Sequence, residues 1–318
     1  MRLIKDLREN RIVPVITGPT AVGKTDVGIA LAKMLDGEVI SVDSRQIYKG
    51  LDIGTSKPTL KQQKEVKHYL IDVLEVGERI SAGRYRKLVA GTIERIFSHE
   101  KIPILVGGAG LYIKAIVHGL FEESWTNEEI RKKVWEELKR KGRVELYNRL
   151  LDIDPEYAMK IHINDIKRIT RAIEIYEMTG QPPTKLFKKP RKKLPYSFRI
   201  FILNMKRNLL YERINKRVER MIQDGLIEEV KEFVRKGKRE AMDYLLTLGY
   251  KEVIQYLDGK CSMEEMVENL KRNTRRYAKR QLTWFRNQLD GIWVEVGEGE
   301  TPVEVAKRVL KFLLYETN

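Results

Sequence analysis

Eight consecutive residues, Gly18-Pro19-Thr20-Ala21-Val22-Gly23-Lys24-Thr25, match the phosphate-loop pattern G-x-x-x-x-G-K-[ST] at every fixed position. The chemistry of that spacing is the capture of a phosphate. Backbone N–H groups of the turn and the N-terminus of the next helix converge on the anion, and Lys24 adds a full charge. The Thr25 hydroxyl supplies a hard oxygen ligand for Mg2+. The competing reading is a glycine turn before an ordinary helix, but the flanks favour the phosphate loop. An apolar run, Ile12 to Thr17, precedes it, and Asp26 to Leu35 follows with helical apolar spacing.

A second chemical candidate is Asp43, in Val42-Asp43-Ser44-Arg45-Gln46. A carboxylate beside a phosphate site can hold a hydrated metal or take a proton from a nucleophile. The same residue types also start helices, with Asp as the cap. A third is the run Leu105-Val106-Gly107-Gly108-Ala109-Gly110, which has glycines where a usual ATPase carries an acidic metal ligand. The glycines suit a ligand that approaches the backbone closely, or simply a tight turn. Arg213 and Arg217, four apart, could clamp a phosphate from the side opposite the loop.

Basic residues form two clusters. Lys167-Arg168 and Arg171 alternate with Ile166, Ile169 and Ile173, which also describes the wet face of an amphipathic helix. Arg272, Arg275-Arg276, Lys279-Arg280 and Arg286 interleave with Tyr277, Trp284 and Phe285, a pattern suited to RNA backbone and unstacked bases. There the alternative is a surface helix whose aromatics pack on the core. His68, His99, His118 and His162 have no metal-site or triad spacing.

These residues must be positioned by a chain of 318 residues, long enough for about two domains. Its 61 Lys and Arg against 45 Asp and Glu give a net charge of +16, which points to a polyanionic partner, nucleic acid first. A solvated, thermophile-like charged surface is the compatible second cause. The single cysteine, Cys261, sits at a helix start and excludes an internal disulfide or a cysteine zinc cluster. Met1 to Asn10 lacks an apolar leader core, and no stretch approaches the roughly 20 apolar residues of a membrane span, so a cytoplasmic protein is expected.

Strands are predicted at Ile12–Thr17, Glu38–Val42, His68–Val73, Ile102–Val106, Phe198–Leu203 and Ile292–Val296, with a helix over Ala82–His99. Such alternation predicts an α/β fold of the P-loop NTPase-like kind, a parallel sheet with helices on both faces. Ligands then sit beyond the carboxyl ends of the strands, where the phosphate loop, Asp43 and Gly107-Gly108 all fall. Helices without strands are predicted at Glu128–Lys141, Val144–Leu151 and Asp165–Met178, followed by the Pro/Lys-rich Gln181–Pro195. That block reads as an inserted helical domain over residues 119–197, between core segments 1–118 and 198–318. The last third is predicted to be largely helical, over Leu209–Arg235, Gly249–Leu257 and Met263–Asn287. From the residues alone, a small-molecule kinase and a nucleotide-gated RNA-binding protein stay open beside a transferase acting on RNA.

Taken together the segments resemble the tRNA dimethylallyltransferase family, also called tRNA isopentenyltransferases. The resemblance rests on Gly18–Thr25, Ile40–Ser44, Ile47–Pro58, Pro103–Gly108, Leu111-Tyr112, Asn164-Asp165 with Arg168, Arg171-Ala172 and Glu174, Gly249-Tyr250, and Ala278–Arg286. It runs from about Val13 to Trp293. It implies transfer of a dimethylallyl group from dimethylallyl diphosphate to the exocyclic amine of adenosine 37, beside the tRNA anticodon. The implied roles are diphosphate binding by Gly18–Thr25 with Arg213 and Arg217, Mg2+ at Thr25, and general-base action by Asp43. Contacts to the anticodon stem-loop are implied for Asp43, Ser44, Arg45, Gln46, Ala109, Arg131, Lys167, Arg168, Ile169, Thr170, Arg171, Leu246, Thr247, Leu248, Gly249, Tyr250, Lys251, Arg280 and Gln281. A monomer with no membrane association is expected. Two positions depart from the family: Ala109 stands where Thr is usual after the paired glycines, and Ile163 where Pro is usual before Asn164.

Overall fold

Strand β1 (Ile12–Thr17) is buried at all six positions, as a parallel strand covered on both faces must be. It lies in a computed structural model that describes residues 2–121, 127–241 and 247–315. With β2 (Gly37–Ser41), β3 (His68–Tyr69), β4 (Ile102–Val106), β5 (Ser197–Asn204) and β6 (Ile292–Glu295), it forms one six-stranded sheet in the order β3-β2-β4-β1-β5-β6. Every pairing is parallel, and Val15 sits beside both Leu105 and Ile200.

The period-two alternation sends side chains to two separate cores. Val13, Val15, Leu105, Ile200 and Ile202 join one; Ile12, Ile16, Ile104, Phe201 and Leu203 join the other. The second core is covered by α1 (Arg2–Glu9) and α2 (Lys24–Leu35), and by the last helix of the chain. On the first face lie α4 (Ala82–Ser98) and α5 (Gly110–Val117); the short α3 (Leu60–Glu65) has no buried residue.

The chain forms two compact units, Met1–Val117 with Leu194–Asn318, and His118–Lys193. The second unit holds α6 (Glu128–Ile153), α7 (Pro155–Ala158), α8 (Ile166–Thr179) and α9 (Pro183–Phe187). Its core is its own, built from Val134, Leu146, Leu150, Ala158, Ile169 and Ile173. The two helices expected over 128–151 are both present within α6, separated at Gly142, whose φ of 84° and ψ of 173° break the helical path. An isolated antiparallel bridge joins Leu120 to Lys192 at the unit's two chain ends.

After β5 come α10 (Arg207–Gln223), α11 (Leu226–Arg235), α12 (Tyr250–Leu257), α13 (Met263–Gln288) and, after β6, α14 (Pro302–Tyr315). Two expectations are corrected. The helix over Leu209–Arg235 is two helices, divided at Gly225 with φ of 99°. The strand over His68–Val73 pairs only at its first two residues, because Leu70 and Asp72 take positive φ (60° and 55°) and leave the ladder. Cys261 stands just before Ser262, which caps α13 in a capping box with Glu265.

Candidate active site

The phosphate loop leaves β1 through Gly18, whose φ is 144°; a Cβ there would lie 2.4 Å from the Leu203 carbonyl oxygen. Gly23 (φ 100°) then caps α2, and Ala21 is also held at positive φ (66°). The loop is therefore a fixed, partly strained cradle. Lys24 Nζ donates to the Pro19 carbonyl at 2.8 Å, folding the ammonium over the turn. From α10, Arg217 donates to Thr20 Oγ1 at 3.1 Å, and Arg213 Nη1 lies 3.7 Å from where a Gly23 Cβ would stand. Three cations from two elements thus converge on one loop.

Their electrostatics are those of a site built for an anion. Burial, reinforced by the charge of Arg217, pushes Lys24 down to about 7, while Asp43 acts in the opposite direction. Burial likewise pushes Arg217 down to about 10, again opposed by Asp43. A bound polyanion would relieve both.

Asp43 follows β2. Its Oδ1 accepts from the backbone N–H of Arg45 (2.8 Å) and of Gln46 (3.3 Å), which is the capping role. Both bonds use Oδ1, so Oδ2 carries no hydrogen bond from the described residues and can take a proton. The β2 end is propped from beneath by Tyr85, which donates to the Ser41 carbonyl at 2.6 Å and stacks on Tyr112 at 4.3 Å. Tyr277 of α13 is pushed up to about 12, by desolvation first and then by the Asp43 charge. Asp43, Lys24, Arg217 and Tyr277 thus share one electrostatic neighbourhood.

The strand-end glycines make room for protein atoms, as the tight-turn alternative has it. A Cβ on Gly107 would lie 2.0 Å from the Val42 carbonyl oxygen, and one on Gly110 2.5 Å from the Trp284 ring. On Gly108 it would lie 2.8 Å from Gln281 Nε2. Ala109 N–H donates to the Val42 carbonyl at 3.2 Å, and its own carbonyl accepts from Tyr112 and Ile113 at the start of α5.

The residues expected to meet RNA divide sharply. On α8, Lys167 and Arg168 are exposed, whereas Ile169 and Thr170 are buried in the helical unit. Arg171 is tied to Glu174 at 3.1 Å, and Arg131 to Glu128 at 3.8 Å. The Gln46 amide is committed internally, accepting from Ser41 Oγ and donating to the carbonyls of Thr55 and Ser56. Ser44, Arg45 and Leu248 are half-buried.

Leu246 lies outside the described residues. Thr247 and Gly249 are buried, and Lys251 lies 3.5 Å from the buried Glu252. Tyr250 is also buried and donates to Glu229 Oε1 at 2.6 Å. Glu229 also accepts from the N–H groups of Asp52, Ile53 and Gly54, so this acid of α11 clamps the loop after Asp43. No local sequence signal marks Glu229. On α13, Phe285 packs in the core and Arg286 lies over Trp293, while Arg280 sits 5.9 Å from the Tyr277 ring on the exposed side.

The fold and the cationic cradle define a phosphate-loop protein with glycines, not an acid, at the end of β4. A model described as IPP transferase matches residues 46–288. A tRNA dimethylallyltransferase of Acetivibrio thermocellus is 44% identical over 303 residues, covering 95% of this chain and 97% of its own. Its counterpart in Thermotoga maritima is 43% identical over 302 residues, covering 95% and 98%. The crystal structure of a tRNA isopentenylpyrophosphate transferase from Bacillus halodurans superposes with a TM-score of 0.69 at 38% identity, covering 96% and 98%. A eukaryotic dimethylallyltransferase captured acting on tRNA gives 0.77 at 29% identity, covering 90% of this chain and 74% of that one. The chain belongs to the IPP transferase family.

Proposed function

We propose that the protein transfers the dimethylallyl group of dimethylallyl diphosphate to the exocyclic N6 amine of adenosine 37 in tRNA, releasing diphosphate. The observation that carries this reading is the convergence of Lys24, Arg213 and Arg217 on the phosphate loop, with Asp43 beside them. The bond between dimethylallyl C1 and the bridging diphosphate oxygen breaks, and its electron pair leaves on the diphosphate. The loop N–H groups and the three cations receive that charge where it develops. The N6 lone pair closes on C1, and the proton lost from N6 passes to Asp43 Oδ2. Because N6 is inaccessible within a stacked loop, the adenine must be flipped out.

Mg2+ fits the donors present. Among the described residues no cluster of three His, Cys, Asp or Glu side chains could hold a metal. An ion here would be held by the Thr25 hydroxyl, substrate oxygens and water, a hard set that suits magnesium. When bound, Mg2+ supplies charge stabilisation to the diphosphate. The enzyme is proposed to act in the cytoplasm, in keeping with one cysteine in 318 residues, and as a monomer.

The test is nucleoside mass analysis of unmodified tRNA incubated with the protein, dimethylallyl diphosphate and Mg2+, repeated with Asp43→Asn and Asp43→Ala. Asn retains an acceptor for the Arg45 and Gln46 N–H groups but cannot take the proton. Both variants are expected to lose roughly 10²–10⁴-fold in single-turnover transfer while binding tRNA normally. Near wild-type transfer by Asp43→Asn would remove Asp43 as the base; an unmodified adenosine 37 with wild-type protein would remove the reaction itself.

A further inference from the structure

Gln281 is buried on α13, and its one amide spans two loops that lie far apart in sequence. Its Oε1 accepts from the Thr20 N–H at 2.9 Å, and its Nε2 donates to the Gly108 carbonyl at 3.1 Å. The orientation is forced: turning the amide over would set NH2 against N–H and oxygen against oxygen. The pocket is shaped for it, since a Cβ on Gly108 would intrude to 2.8 Å from Nε2. Thr20 is therefore held twice, by α13 at its N–H and by Arg217 at its hydroxyl. The residue after it, Ala21, is the loop's non-glycine residue at positive φ. A conformation of that kind persists only where its surroundings over-determine it.

The outer side of α13 carries the exposed Tyr277 and Arg280 within one turn of Gln281. We infer that Gln281 is a positioning residue: it sets the strained turn of the phosphate loop against the end of β4, and links the solvent-facing side of α13 to the diphosphate grip. It does not touch RNA itself, which departs from the contact role that the family resemblance implies. This inference rests on the proposed diphosphate site, and its test separates the two.

Two substitutions probe the strut. Gln281→Met keeps length and volume but removes both hydrogen bonds; Gln281→Glu keeps the acceptor for Thr20 and turns a carboxylate toward the Gly108 carbonyl. Binding of inorganic diphosphate by calorimetry, binding of an anticodon stem-loop by filter retention, and steady-state kinetics are compared with wild type. The expected result is a diphosphate Kd and a KM for dimethylallyl diphosphate raised about tenfold, with RNA Kd within about twofold. Gly108→Ala, which displaces the amide without altering Gln281, is expected to reproduce the split. It stands in if either Gln281 variant fails to fold. Weakened RNA binding with unchanged diphosphate affinity would make Gln281 an RNA contact and overturn the inference, as would unchanged constants in both variants. Should wild-type protein transfer no prenyl group, the proposed reaction falls, and the diphosphate calorimetry still decides what Gln281 does.

Discussion

At the scale of residues, the decisive property of Lys24 is that burial and Arg217 hold it near 7 before any anion arrives. A bound diphosphate restores the charged form, so binding above that pH must draw a proton from solvent. Affinity is thus full below about 7 and declines as pH rises, until the pKa of the complex is passed. Calorimetry of inorganic diphosphate at pH 8, in buffers of differing ionisation enthalpy, should record uptake approaching one proton. Lys24→Met should abolish it. The sign for stability is the opposite. The free protein gains stability as pH rises from about 7 toward the ordinary lysine value of 10.5, since only the unfolded chain holds that proton there. The loop that carries Lys24 was legible because eight contiguous residues spell it. The Gln281 bridge was not, because its donor and acceptor lie 261 positions away at Thr20 and 173 away at Gly108.

At the scale of elements, α8 and the α11–α12 pair show what periodicity reveals and what it hides. The isoleucines of α8 repeat at helical spacing, so its buried face could be read from sequence, and the five-residue basic run resolves into two faces. Ile169→Ala should cost about 2–5 kcal/mol in urea denaturation. Lys167→Ala should leave stability unchanged and reduce the salt slope of tRNA binding by about one. By contrast, Tyr250 lay in a motif that suggested contact with RNA, yet its hydroxyl is spent on Glu229. Removing that acid strands three backbone N–H groups at Asp52, Ile53 and Gly54. Glu229→Ala should therefore lower stability by about 3 kcal/mol, and Tyr250→Phe by about 1 kcal/mol, by the same denaturation measurement. Strands β1, β2, β4 and β5 were legible as apolar runs. The short β3 was overestimated because positive φ at Leu70 and Asp72 leaves no trace in hydropathy.

At the scale of the whole molecule, two compact units with separate cores invite dissection. The Leu120–Lys192 bridge brings together the chain where the helical unit begins and ends. Replacing residues 120–192 with a short Gly/Ser linker should leave a folded sheet unit that binds inorganic diphosphate and has lost tRNA affinity. Calorimetry and filter binding check the two halves of that expectation, and light scattering of the intact chain checks the monomer. The excess of 16 positive charges makes all tRNA binding strongly salt-dependent, so both proteins must be compared at one ionic strength.

Strand order has a further consequence, in the timing of synthesis. β1 lies between β4 and β5, and its residue Ile12 pairs with Ser197. A nascent chain therefore completes the entire helical unit while β1 still lacks one neighbour. Until β5 emerges, one edge of a strand that is buried along its whole length in the folded protein is open to mispairing. An insert that closes on its own short-range contacts leaves that edge to wait for its partner.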